Sequence, residues 1–289
     1  MVIVRYLIKS PNSYSFVLVF SCLCISLSGQ KGTEVGGWLG TGLYFGDLNT
    51  NFRFNRPGYA GGAVLRYNFN ERVSIKGALS YAKLSADDRD SPNAFERERN
   101  INFHTNVIDV TGHLEFNFLP YIHGSKDEYY TPYIAVGASL ARFNPKTNIM
   151  NAQGDQTTVG LQTLGTEGQL PGEEYALISP AFSIGFGFKF DINIDWSINI
   201  EISTRQLMTD YFDDVSGVYA DPLLIDGFRE NTADLSASQI ADPSPLSNFG
   251  IPGKQRGNQR DNDNYTFIGV SIMKYFGTLQ CPKPRTTRL

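Results

Sequence analysis

The chain has 289 residues, 41% hydrophobic and 19% charged, with 28 Gly, 20 Phe, 15 Tyr and 2 Trp. This composition excludes a disordered chain and favours strands and turns over helices. With a net charge of −4 the chain offers no basic field for phosphates, so nucleic acid is not expected as a partner.

The first segment reads as a secretory signal peptide over 1–30. Arg5 and Lys9 precede an apolar run at 16–27, which gives way to Ser28, Gly29 and Gln30. The run is shorter than the roughly 20 residues a spanning helix needs. Cys22 and Cys24 leave with it, so Cys281 stays without an internal disulfide partner.

Next come segments in which apolar residues recur at every second position, the mark of strands with two different faces. The segments 34–46 and 58–69 carry this pattern diluted by Gly and Ala. In 72–84, Val73, Ile75, Leu79 and Tyr81 oppose Ser74, Lys76, Ala78, Ser80 and Ala82. In 105–118, Ile108, Val110, Leu114, Phe116 and Phe118 oppose Asp109, Thr111, His113, Glu115 and Asn117. The segment 133–143 is again weak. In 180–190 a stripe of Phe182, Ile184, Phe186, Phe188 and Phe190 alternates with small residues and Lys189. In 194–205, Trp196, Ile198, Ile200 and Ile202 oppose Ser197, Asn199, Glu201, Ser203 and Arg205, and 265–276 completes the set. The intervals tend to alternate in length. Those at 70–71, 119–132 and 191–193 are the shorter class, and those at 47–57, 85–104, 144–179 and 206–264 the longer. The expected fold is therefore all-β, an eight-stranded antiparallel transmembrane β-barrel at 31–276 with short periplasmic turns and long extracellular loops, placed in the cell outer membrane. Phe69, Phe116, Phe118, Phe190, Trp196, Tyr275 and Phe276 gather near the short turns as an interfacial girdle.

On the inward faces this assignment places Lys76, Asp109, His113, Glu115, Lys189, Glu201 and Arg205. Eight strands enclose a lumen just wide enough for side chains, so these residues read as a paired polar network that fills it. No catalytic, cofactor or metal site is expected. His104, His113 and His123 lie in no recognisable motif, and a His113, Glu115 and serine grouping at mid-barrel would be closed to substrate. In the longest loop, Asp210, Asp213, Asp214 and Asp221 have spacing that leaves a calcium ion open as an alternative to a solvated acidic turn. Lys254, Arg256 and Arg260 form a basic patch that reads as solvated loop pairing with that acidic start, and 221–263 reads as an irregular excursion.

Several segments together, EVGGWLGTGLYFGDLN (34–49), YNFNERVSIKGALSYAKL (67–84), YYTPYIAVGASLARFNP (129–145), TDYFDDVSGVY (209–219) and YTFIGVSIMKYFGTLQCP (265–282), resemble the PorG-type outer-membrane proteins of the type IX secretion system. The resemblance implies a non-enzymatic barrel that associates on its periplasmic side with ring-forming secretion subunits, including a lipoprotein. It also implies a role in exporting proteins with a C-terminal sorting domain and, in gliding cells, in adhesin delivery. No catalytic residue is carried over. The tail at 277–289 reads as a periplasmic extension in which Lys283 and Arg285 are candidate partner contacts. The rival expectation is an independent surface barrel of adhesin or defence type that works through its long loops.

Overall fold

The computed structural model describes residues 31–150, 154–229, 231–232, 234–246 and 249–277. The expected signal peptide at 1–30, Cys281, Lys283 and Arg285 lie outside the described residues. The described residues form ten strands: β1 (Gly32–Phe45), β2 (Gly58–Asn68), β3 (Val73–Asp87), β4 (Asn102–Asn117), β5 (Tyr130–Arg142), β6 (Lys146–Met150), β7 (Gln156–Gly160), β8 (Ile178–Asp191), β9 (Trp196–Leu207) and β10 (Asn264–Gly277). Eight of them close an antiparallel barrel in the order β1, β2, β3, β4, β5, β8, β9, β10, with β10 returning to β1 from Gly32↔Gly277 to Phe45↔Asn264. Closure leaves no unpaired strand edge, which a sheet in lipid requires.

The period of 2 acts as the sequence implies. Val35, Leu39, Leu65, Ile75, Leu79, Val110, Leu114, Val136, Phe182, Phe186, Ile200, Val270 and Ile272 are exposed on the outer wall, while the alternate positions Glu34, Arg66, Ser74, Lys76, Asp109, His113, Glu115, Ala135, Ser183, Asn199 and Met273 are buried inside. No helix of the described residues is long and apolar enough to cross a membrane; the apolar band is presented by strands. A closed sheet with an apolar exterior is a transmembrane barrel of the outer-membrane type. Phe69, Phe116, Phe118, Phe190, Trp196 and Phe276 are exposed near the short-turn end, as a girdle requires. Tyr275 is the exception, because its parity turns it into the lumen, where it is buried.

The short connections at 69–72, 118–129 and 192–195 share one end, and the long ones at 46–57, 88–101, 143–177 and 208–263 share the other. Two of the long ones differ from the sequence reading. The loop after β5 contains the hairpin β6–β7, which continues the wall because β4 outruns β5 and pairs His104 with Lys146. The segment 221–263 is not irregular throughout, for it holds the helices α2 (Pro222–Phe228) and α3 (Ala237–Ala241), as 88–101 holds α1 (Ala94–Arg99). Their caps are local: Asp221 accepts from the Leu223 amide with Pro222 in the first turn, Ser236 and Gln239 form a capping box, and Asn93 caps α1. These helices are too short to stand alone and are held by packing on the barrel's upper mouth.

Candidate functional site

The barrel interior is divided in two along its axis. The half toward the short turns is ionic. Glu115 of β4 is the centre, fully buried, with Arg66 Nε at 2.7 Å, Lys189 Nζ at 2.7 Å and Lys76 Nζ at 3.0 Å. Arg66 also reaches Glu34 at 2.9 Å, Lys189 donates to Asn117 at 3.0 Å, and Lys76 pairs with Glu201, which accepts from the Tyr133 hydroxyl. Tyr133 lies under the cations, its ring centroid 4.6 Å from Lys189 Nζ and 5.7 Å from Lys76 Nζ. Desolvating each charge alone would cost several kcal/mol, so mutual pairing is the condition for burying them. Higher up, Asp109 accepts from the Tyr265 hydroxyl at 2.7 Å and from Thr111, and lies 3.8 Å from Arg205.

All seven residues assigned to the lumen by alternation face it, but they form two groups: Lys76, Glu115, Lys189 and Glu201 below, Asp109 and Arg205 above. His113 stands between them, its Nε2 2.7 Å from Ser183 Oγ. This pair lacks the third member of a nucleophilic site, since His113 Nδ1 has no hydrogen-bond partner and Glu115 is engaged by three cations. A cavity of about 40 Å³ adjoins Trp38, Lys76, His113, Glu201 and Arg205, with room for a few waters. Trp38 enters the lumen over two glycines, Gly62 opposite it on β2 and Gly269 diagonal to it on β10; a Cβ on Gly62 or Gly269 would lie 2.9 Å or 2.6 Å from its indole.

Alternation did not mark Glu34 and Arg66, whose strands are diluted by Gly, nor Tyr121 and His123, which come from a turn. The 118–129 turn folds back into the mouth. There His123 lies 2.9 Å from Asp191 and 3.4 Å from Glu34, and Tyr121 donates to Asp191. Burial opposes the charged imidazole, but the two carboxylates outweigh it and push His123 up to about 9. This turn is the lower closure.

The upper half of the interior is mainly aromatic and aliphatic above the Asp109 and Arg205 pair. Phe212 is fully buried and ringed by Tyr44, Phe103, Phe143 and Tyr265 at centroid distances of 5.0 to 6.2 Å. Leu84, Val107, Leu207 and Phe267 continue this core downward, and Leu48, Ile101, Leu161, Val215, Ile225 and Ile240 continue it into the loops. The long loops therefore form one packed cap whose root, the TDYFDDVS stretch, plugs the barrel.

Around that root the acidic residues do not converge on a common point. Asp213 accepts from Tyr44, which also donates to Asp263 at 2.8 Å. Asp214 accepts from Thr166 at 2.6 Å, Tyr175 at 2.7 Å and Arg256 at 3.4 Å. Asp221 caps α2 instead. Among the described residues no group of three or more His, Cys, Asp or Glu is placed to hold a metal ion. The basic patch is likewise divided: Arg256 is buried against Glu167 at 3.0 Å and Asp214, while Lys254 lies over the Phe249 ring at 4.1 Å. The expected pairing of this patch with the loop's acidic start is made by Arg256 alone. Burial raises Asp47 and Asp214 to about 6, and Asp210, with both oxygens unpartnered, to about 7. Asp213 and Asp263 are held well above the usual range by burial and by neighbouring carboxylates.

Solved structures to which the chain is similar are small outer-membrane barrels. OprG of Pseudomonas aeruginosa is 10% identical, with 87% of this chain and 99% of that one covered and a TM-score of 0.41. Neisserial surface protein A is 7% identical, over 85% and 97%, at 0.39, and the attachment invasion locus protein Ail of Yersinia pestis 11% identical, over 86% and 99%, at 0.36. No curated protein matches the sequence. Residues 13–221, most of the chain, match the model of the family described as Domain of unknown function (DUF6089), and the chain belongs to that family.

Proposed function

We propose that this protein is a non-enzymatic outer-membrane component of a type IX protein-secretion machine that works through its periplasmic face. The filled lumen carries the reading. Among the described residues, Glu115 and its cations below and Phe212 and its ring partners above fill the centre of the barrel. A barrel that passes nothing through its middle acts through its surfaces. The resemblance of 34–49, 67–84, 129–145, 209–219 and 265–282 to PorG-type proteins favours the periplasmic surface, with ring-forming subunits including a lipoprotein as partners. On that side the 118–129 turn is anchored by Tyr121 and His123 and leaves Lys126 and Asp127 exposed, a presented surface that does not have to be ordered on binding. Lys283 and Arg285 add basic contacts in this reading.

A second reading, an independent surface barrel of adhesin or defence type, is favoured by the cap: it is a packed body that shows Leu223 and Phe228 of α2 to solvent, 82% and 55% exposed. A mild-detergent pull-down from outer membranes separates the two. Wild type is compared with a variant lacking 278–289 and carrying Lys126→Ala and Asp127→Ala, and with Leu223→Ser and Phe228→Ser. Loss of co-purified periplasmic subunits in the first variant alone supports the secretion role. Recovery of the barrel alone from wild type moves the assignment to the surface-barrel reading.

A further inference from the structure

We propose that the extracellular rim over β3, β4, β5 and β6 is a binding site for the phosphorylated glycolipid of the outer leaflet. The register brings its residues together. Tyr81 and Arg142 both lie opposite Ile108, Lys83 lies opposite Asn106, and Lys146 lies opposite His104. Cross-strand partners point to the same face, and on β4 that face is the outer one, since Ile108 and Val110 are exposed on the wall. Lys83, Arg142 and Lys146 thus lie on the outside of the barrel at the top of the apolar band, Arg142 level with Tyr81 and Ile108, Lys83 one step and Lys146 two steps higher along the outer face of β4, with Val110 and Leu140 below. Lys83 and Arg142 are exposed, Lys146 is half-buried, and both lysines act electrostatically on the His104 ring.

The cluster lacks counter-charge. Among the described residues no carboxylate lies within 4.0 Å of Lys83, Arg142 or Lys146, and the acids above them, Asp87 and Asp90, are engaged by Arg56 and Arg89. Long loops mark this end as the extracellular one. Cations at the foot of the cap are costly beside hydrocarbon but favourable beside fixed anions at headgroup depth. A guanidinium and two ammonium groups on one face match the charge of a phosphorylated headgroup, and the guanidinium can donate to it in bidentate fashion. The absence of an acid leaves nothing for the ammonium of a zwitterionic lipid, so a lipid with net negative phosphates is selected. Its acyl chains would lie along Ile108, Val110 and Leu140. This site is independent of whichever partner the periplasmic face takes.

The test uses the full-length protein in detergent, titrated with diphosphoryl lipid A, with the same lipid after dephosphorylation and with inorganic phosphate, and read by native mass spectrometry. Wild type is expected to retain diphosphoryl lipid A. The variant Lys83→Ala, Arg142→Ala, Lys146→Ala is expected to bind it on the order of tenfold or more weakly, with an unchanged thermal midpoint. Dephosphorylated lipid A is expected to bind wild type as weakly as the intact lipid binds the variant. Equal retention by wild type and variant overturns the site. Equal binding of dephosphorylated lipid overturns it on wild type alone, even where the variant does not fold. Displacement by inorganic phosphate at equal concentration assigns the cluster to a small anion instead.

Discussion

His123, carried on a turn, lies face to face with Tyr275 at the end of β10, ring centroids 4.1 Å apart, with Asp191 at 2.9 Å from its other side. The turn thereby becomes a plug. Because the folded mouth raises His123 from its ordinary value of 6.5 to about 9, its contribution is complete below pH 6.5 and is lost as pH rises toward 9. We expect the unfolding free energy in detergent to fall by no more than about 3 kcal/mol over that window. His123→Phe should remove the slope; an unchanged slope would mean that another group titrates there.

Glu115 holds three cations, of which Arg66 keeps Glu34 and Lys76 keeps Glu201, so its loss leaves the buried Lys189 ammonium uncompensated and weakens the other two pairs. Glu115→Ala is expected to destabilise the barrel by about 3–5 kcal/mol in urea titrations into lipid vesicles, and adding Lys189→Met should recover part of this. Simple additivity of the two substitutions would show that they are not coupled.

On the outer wall the size of the effect depends on depth. Leu114→Arg, in the apolar band, should cost about 2–4 kcal/mol in the same titration, whereas Lys83→Ala at the rim should cost under about 1 kcal/mol. Equal effects at the two positions would contradict the placement of the band.

The cap loses stability with rising pH as the lower plug does, but over a lower window. Folding raises Asp47, Asp210 and Asp214 from 3.8 to about 6 to 7, mainly by burial, so the cap is most stable below pH 4 and loosens as pH rises toward 7. Amide exchange in 208–263 should quicken across that window. Asp210→Asn, which removes a buried carboxylate whose oxygens are unpartnered, should slow exchange at pH 7.5 by about 1–2 kcal/mol in opening free energy. Faster exchange in this variant would refute the account.

Because the interior has two closures, opening one should not open the barrel. Phe212→Ala removes the centre of the upper core and should cost about 3–5 kcal/mol of stability. Planar bilayers holding either wild type or Phe212→Ala should nonetheless show no open-channel current, since the ionic plug around Glu115 persists. Steady current from wild type would contradict a filled lumen.

How far the sequence reaches depends on the range of the constraint. Lipid on one side and a narrow lumen on the other force every second residue of a strand to differ from its neighbours, and that local rule made the eight barrel strands and the inward residues Lys76, Asp109, His113, Glu115, Lys189, Glu201 and Arg205 legible before any coordinates. It fails where glycine replaces the alternating side chain, which hid Glu34 and Arg66, and in turns, which have no parity, hiding Tyr121 and His123. Short strands without an apolar stripe, β6 and β7, were hidden for the same reason.

Partnership is different in kind. Glu115 meets Arg66 and Lys189 across the barrel, Phe212 meets Tyr44 and Phe103 from a distant loop, and Arg256 divides the basic patch by pairing with Asp214. The sequence by itself determined which faces are apolar and which polar, and at which end the long loops lie, because those follow from neighbours along one strand. Only the tertiary structure decided that the lumen is ionic below and mainly aromatic above, that Asp213 and Asp214 of the longest loop take separate partners, and that Lys83, Arg142 and Lys146 share one face. Each of those rests on register and closure between strands far apart in the chain, which no local pattern encodes.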